Sequence, residues 1–176
     1  MTSEQALTIL NAVAVPSLTN EQPLTRRVIE AILPDKGNYK PDPFGRPALE
    51  LAWHIVSAEN RFIEAACDGA FDLSPRPMPE TIKSSADVAA WYDREFAKNI
   101  ARAKGLSAEQ LTKIIDFRGI FKLPAVMFLN IGLNHSIHHR GQLSTYLRPM
   151  GSKVPSIYGE SYDAVQARLA KEGKSS

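Results

Sequence analysis

Apolar positions recur at three- and four-residue intervals in four separate stretches of this chain, the periodicity of helices that bury one face. The first runs from about Ser17 to Leu33 and carries Leu18, Val28, Ile29 and Ile32; Pro23 inside it predicts a kink or the helix start. A short helix over residues 4 to 15 is expected to precede it. The second runs from about Pro47 to Asp68 on a stripe of Leu51, His54, Ala58, Phe62 and Ala65, with Pro47 suited to a first helical position and Gly69 to a C-terminal cap. The third runs from about Ser85 to Lys104, with Val88, Tyr92, Phe96 and Ile100 spaced by fours and Gly105 as its stop. The fourth runs from about Pro124 to Met150, capped by Gly151.

The connections are legible too. Pro34 to Pro47 holds four prolines and two glycines, and Phe71 to Glu80 holds Pro75, Pro77 and Pro79, so neither continues a helix. Leu106 to Lys122 mixes a helix opening at Ser107-Ala108-Glu109-Gln110 with strand-like alternation over Lys113 to Phe117, and is expected to be irregular. Lys153 to Tyr162 reads as a loop, Asp163 to Lys171 as a terminal helical turn, and Gly173 to Ser176 as a fraying end. Four long helices joined by long loops predict an all-α, four-helix bundle forming one domain over residues 1–176, with one or more long crossovers.

Composition narrows the partners. Net charge is only +2, with no basic block interleaved with aromatics, so no nucleic-acid partner is expected. Cys67 is the single cysteine, which rules out an intrachain disulfide and agrees with a reducing compartment. The start has no basic region followed by a long apolar run, and nothing approaches about 18 consecutive apolar residues. The expectation is a cytoplasmic protein without a signal peptide or membrane partner.

The chemistry is concentrated in Asn134-His135-Ser136-Ile137-His138-His139-Arg140-Gly141-Gln142-Leu143, which contains three of the four histidines. His135 and His139 lie one turn apart on one face, in a stripe that reads Phe128, Ile131, His135, His139, Gln142, Tyr146. His54 lies on the inward stripe of the second helix. A lone histidine on an apolar face is ordinarily a hydrogen-bonded core residue, but three buried imidazoles need three partners unless they share an ion. Three neutral imidazoles around a divalent ion leave one coordination position open, the arrangement of a catalytic rather than a structural site. Such an ion acidifies water or a thiol.

His138 is the competing ligand; the stripe favours His139 and puts His138 at its edge, against solvent or a subunit contact. Gln142 and Tyr146 are the candidates for polar or proton-donating contacts at the site. Glu50, one turn before His54, is a candidate to orient its free ring nitrogen. Gly141 is read as a packing glycine, Arg140 and Arg148 as surface residues, and Trp53 and Trp91 as outward apolar residues that one core does not absorb. No phosphate loop, triad or paired Glu-x-x-His motif is present.

These residues resemble a known family. His-x-x-His-His-Arg-Gly-Gln-Leu-x-x-Tyr-Leu-Arg, then Gly151 and Val154-Pro155-x-x-Tyr158-Gly159, is similar to the fourth-helix motif of the DinB family of damage-inducible helical bundles. Leu49-Glu50-Leu51-Ala52-Trp53-His54-Ile55 resembles its second-helix motif, and Thr25-Arg26-Arg27-Val28-Ile29-Glu30 with Lys40-Pro41-Asp42 its first. The resemblance covers nearly the whole chain. It implies an up-down-down-up bundle and a nickel, zinc or iron ion on three histidines, which map to His54, His135 and His139. It further implies a homodimer and kinship with S-transferases and isomerases that use low-molecular-weight thiols. Together with metal-activated water, the expectation is a metal-dependent hydrolase or thiol S-transferase acting on a small thiol or electrophile; the rival expectation is a non-catalytic stress-response protein whose metal is structural.

Overall fold

Residues 1–173 are described in a computed structural model; of the expected fraying end, only Gly173 falls within them. The N-terminal helix is longer than the sequence suggests. Thr2 and Gln5 form a reciprocal cap that opens α1, Ser3–Thr8, which runs through a π-helical segment, Ile9–Ala14, into α2, Val15–Glu30. The wide turn has a local cause. Pro16 has no N–H to donate, and its ring crowds the carbonyl four residues back; just before it, Val15 N–H reaches five residues back to Leu10. Pro23 lies inside α2 and does not mark its start.

The next helices follow the expected limits. Helix α3, Ala48–Asp68, has Pro47 at its N-cap and ends at Gly69, whose φ of 69° is the left-handed conformation that a side chain disfavours. Helix α4, Ser85–Lys104, opens with a Ser84–Asp87 capping box and stops at Gly105.

The segment expected to be irregular is ordered. It forms α5, Ala108–Thr112, capped by Ser107 and Gln110, and an antiparallel hairpin of β1, Ile114–Phe117, and β2, Phe121–Pro124. The hairpin pairs Ile115 with Leu123 and Phe117 with Phe121. Its turn carries Arg118 at φ 58° and Gly119 at φ 72°, and Asp116 Oδ1 accepts from Gly119 N–H at 2.6 Å. The alternation over Lys113 to Phe117 was thus a strand signal; one buried residue, Ile115, anchors it. Helix α6, Ala125–Leu147, follows directly, and α7, Tyr162–Lys171, is a full short helix rather than a turn.

Helix α3 packs on α6 and α4, while α2 packs on α4 and α6. The core between them includes Ile55, Ile63, Tyr92, Phe128, Leu129 and Leu143. Trp53 is buried, meets the Trp91 ring at 4.6 Å, and donates from Nε1 to the Arg76 carbonyl at 3.2 Å. It is therefore not an outward residue and gives no hint of a subunit contact. No helix among the described residues is long and apolar enough to cross a membrane.

The two α6 glycines differ sharply. A β-carbon at Gly132 would lie 2.6 Å from Phe62 Cβ on α3, whereas one at Gly141 would meet nothing within 4 Å. Close helix approach is thus the business of Gly132, and Gly141 has no packing role. Gly132→Ala should destabilise the protein by about 1–3 kcal/mol through overpacking. Gly141→Ala should stabilise it by about 0.5–1 kcal/mol by restricting the unfolded chain. Urea denaturation of the two variants checks both signs.

Candidate metal centre

The α3–α6 contact brings three imidazoles together. His54, His135 and His139 each present a ring nitrogen such that all three lie within 4.8 Å of one another. Ring centroids are 4.9 Å apart for His54 and His135, 4.7 Å for His54 and His139, and 4.5 Å for His135 and His139. The Nε2 atoms of His54 and His139 are 3.3 Å apart. Two nitrogens bonded at about 2.0–2.1 Å to one tetrahedral ion stand about 3.3 Å from each other. The cluster contains no carboxylate or thiolate among the described residues.

Tautomer and charge suit a cation. His139 Nδ1 donates to Gln142 Oε1 at 2.9 Å, which leaves the lone pair of Nε2 facing His54. Gln142 Nε2 in turn lies 3.5 Å from the Tyr146 hydroxyl. His135 Nδ1 is buried with no hydrogen-bond partner, so its desolvation goes uncompensated, unlike that of an ordinary core histidine. Burial, then the neighbouring His139, lowers His54 to a pKa of about 4, with Arg46 adding to the effect. Burial, then His139, His54 and His138, lowers His135 to about 4. Both are neutral near pH 7, the form that ligates metal.

The histidines do not lie on the central core stripes of their helices. On α6 the most buried line runs Leu129, Gly132, Ser136, Arg140, Leu143, Leu147, and His135 and His139 flank it, half-buried. His54, Ala58 and Phe62 form a similar half-buried edge on α3. That placement opens the trio to cavities. One of about 350 Å³ is lined by His54, Arg46, Glu50, Trp53, Arg76 and Met78. A smaller one of about 190 Å³ joins His54 to Ser57, Ala58, Arg61 and Arg76. Another of about 350 Å³ reaches His54 and His135 from a phenylalanine-rich side.

The other candidates sort differently. His138 is exposed, with its ring 4.8 Å from that of His139, and it is not part of the trio. Gln142 holds His139, and the buried Tyr146 stands behind Gln142. Glu50 makes no hydrogen bond to His54; it lines the Arg46 cavity instead. Cys67 is half-buried on α3, outside the trio, and burial raises its pKa.

Arg140 corrects the surface expectation. Its side chain is 2% exposed and reaches Glu21 Oε2 at 2.6 Å, Thr25 Oγ1 at 3.2 Å and the Tyr158 hydroxyl at 2.7 Å. Arg148 does lie at the surface, paired with Asp163. Sequence reasoning also missed Glu59, which is fully buried and accepts from the Tyr92 hydroxyl. Burial raises its pKa to about 7 against the opposing effect of Tyr92; Ser136 is near enough to act on it but outside hydrogen-bond geometry. The signal was available: Glu59 stands four residues from both Ile55 and Ile63 on the α3 core stripe, where a carboxylate needs a partner.

With this geometry in hand, known proteins are informative. The model of the DinB family matches residues 9–173. YjoA, an uncharacterized protein of Bacillus subtilis (strain 168), is 29% identical over 137 residues, which span 77% of this chain and 87% of YjoA. The crystal structure of that DinB-like protein superposes with a TM-score of 0.69 at 26% identity, covering 84% of this chain and 99% of the other. A DinB-like protein from Bacillus cereus ATCC 10987 also gives a TM-score of 0.69 at 26% identity, covering 82% and 95%.

The buried groups set the pH response of the metal-free protein. His54 and His135 protonate near 6.5 when unfolded but near 4 when folded, so their contribution to stability is lost as pH falls through that window. Glu59 acts oppositely, because its pKa rises from 4.5 to about 7 on folding and stability is lost as pH rises between them. Two histidines outweigh one carboxylate, so stability should climb with pH between about 4.5 and 6.5, and Glu59→Gln should steepen the climb. Urea midpoints across that range check this; a flat profile, or an unchanged slope in Glu59→Gln, contradicts it.

Proposed function

Because the chain belongs to the DinB family, we propose that His54, His135 and His139 hold a divalent nickel, zinc or iron ion, and that the ion serves a metal-dependent enzyme. The four long helices are taken as the family's up-down-down-up bundle. The supporting observation is the trio itself: three imidazoles, with a 3.3 Å nitrogen pair, facing cavities rather than a sealed core. A bound ion would supply Lewis acidity, acidifying water for hydrolysis or a thiol for S-transfer.

The chain's own residues do the rest. Gln142 fixes the His139 tautomer, and Tyr146 backs Gln142. Burial keeps His54 and His135 unprotonated and ready to ligate near neutral pH. Arg46 and Glu50 both line the adjoining cavity, and Arg76 there is paired with Glu64, so that wall offers both signs of charge to a small polar molecule. A purely structural ion fits less well, because such sites are closed by four protein ligands and here three side chains converge beside open space.

Metal analysis of purified variants tests the ligand set. His54→Ala, His135→Ala and His139→Ala should each lose most bound divalent metal, and His138→Ala should keep it. Retention in His135→Ala overturns the site, and loss in His138→Ala with retention in His139→Ala reassigns the third ligand. The cobalt-substituted protein should change its visible spectrum on adding azide or a small thiol, through the open coordination position. Indifference to both would favour the structural ion.

Assembly is a separate proposal, carried by the family: a homodimer. Light scattering should give twice the 19.4 kDa chain mass; a single-chain mass at high concentration refutes it.

A further inference from the structure

The cavity on the phenylalanine side of the histidines differs from the one beside Trp53. It lies between the half-buried edge of α3, the hairpin and α6, has a volume of about 350 Å³, and has His54 and His135 in its wall. That volume is at the lower end of small-molecule sites. Its apolar lining is aromatic. Phe71 meets Phe62 at 5.5 Å and Phe117 at 4.7 Å between ring centroids, in edge-on and tilted arrangements that offer both ring edges and faces to a guest.

Two guanidiniums share that wall. Arg118 stands at the hairpin tip with its charge 5.6 Å from the Phe117 ring, and Arg61 rises from α3. Neither forms an ion pair among the described residues, whereas Arg76 nearby is neutralised by Glu64 at 2.6 Å. Arg61 donates only to a backbone carbonyl, that of Ser74, at 2.8 Å. Burial, then Arg76, depresses the Arg61 pKa; Asp72 and Glu64 oppose the shift without forming an ion pair with it, and Arg118 adds to it. An apolar chamber with two guanidiniums outside any ion pair at its rim complements one kind of small molecule.

We propose that this cavity binds a small aromatic acid, its ring against Phe62, Phe71, Phe117 and Ile131 and its anionic group on Arg61 and Arg118. The far end of such a molecule lies against His54 and His135. The assignment of that end as the reacting one rests on the metal-enzyme reading; the binding itself does not.

The test is calorimetric titration of the full chain, both as purified and after chelation, with 2-naphthoate and with its uncharged counterpart 2-naphthalenemethanol. The acid should bind in both states and the alcohol at least about tenfold more weakly, the worth of one charge-assisted contact. Arg118→Gln, at an exposed turn position that the fold does not depend on, should weaken the acid about tenfold and leave the alcohol unchanged. Arg61→Gln should do the same. Phe117→Ala should weaken both compounds. Arg46→Gln, in the other cavity, should change neither. Equal affinity for acid and alcohol, an unchanged acid affinity in Arg118→Gln, loss in Arg46→Gln, or no binding at all overturns the proposal. Acid binding that survives chelation while the histidine variants bear no relation to metal content would sink the metal reading and leave this one standing.

Discussion

The closeness of α3 and α6 is the constraint on which the site depends. Gly132 lets Phe62 lie where a β-carbon would be, and the same approach sets the ring nitrogens of His54 and His139 3.3 Å apart. Imidazole is a short side chain, so helices separated by one more methyl group would not bring three of them to a common point. Polar contacts hold this approach in register. Arg140 ties α6 to Glu21 and Thr25 of α2, and the Glu59–Tyr92 pair ties α3 to α4. Any slip of these helices would leave charge buried without a partner, which is far more costly than losing a few apolar contacts.

The helices therefore bury two kinds of polar group for two purposes. Along the central lines Thr25, Glu59, Asn60 and Arg140 are hydrogen-bonded and fix geometry, while Ser136 Oγ and Asn99 Oδ1 lack partners. Along the flanking line sit the histidines, where one buried nitrogen lacks a partner and cavities begin. The same α6 turn supplies both, since His139 and Arg140 are adjacent and point to opposite tasks.

Much of this was legible in the sequence. The limits of α3 and α4 follow from Pro47, Gly69, Ser84 and Gly105, because caps and glycine stops act locally. The histidine trio followed from four-residue spacing on two helices. What was hidden depended on tertiary context. Pro23 read as a kink or a start, yet packing on α4 and α6 carries the helix through it, and a π turn joins it to the preceding helix. The hairpin was masked because its strands are short and mostly exposed, so alternation had few buried positions in which to show. Arg140 was taken for a surface residue because its partners, Glu21 and Tyr158, are distant in sequence and only the fold unites them.

The hairpin tip shares no residue with the ion's candidate ligands, although it stands over them. Arg118 and Phe117 sit on a short connection whose strands pair only with each other. The cavity beside the histidines thus has two kinds of wall: Arg61, Phe62 and Ile131 share helices with the trio, whereas Phe117 and Arg118 sit on a separate piece of backbone. Lineages descended from a common ancestor can rewrite the tip by point mutation or insertion while inheriting the histidine trio intact. A single scaffold can diversify in what it accepts long before it changes what it does.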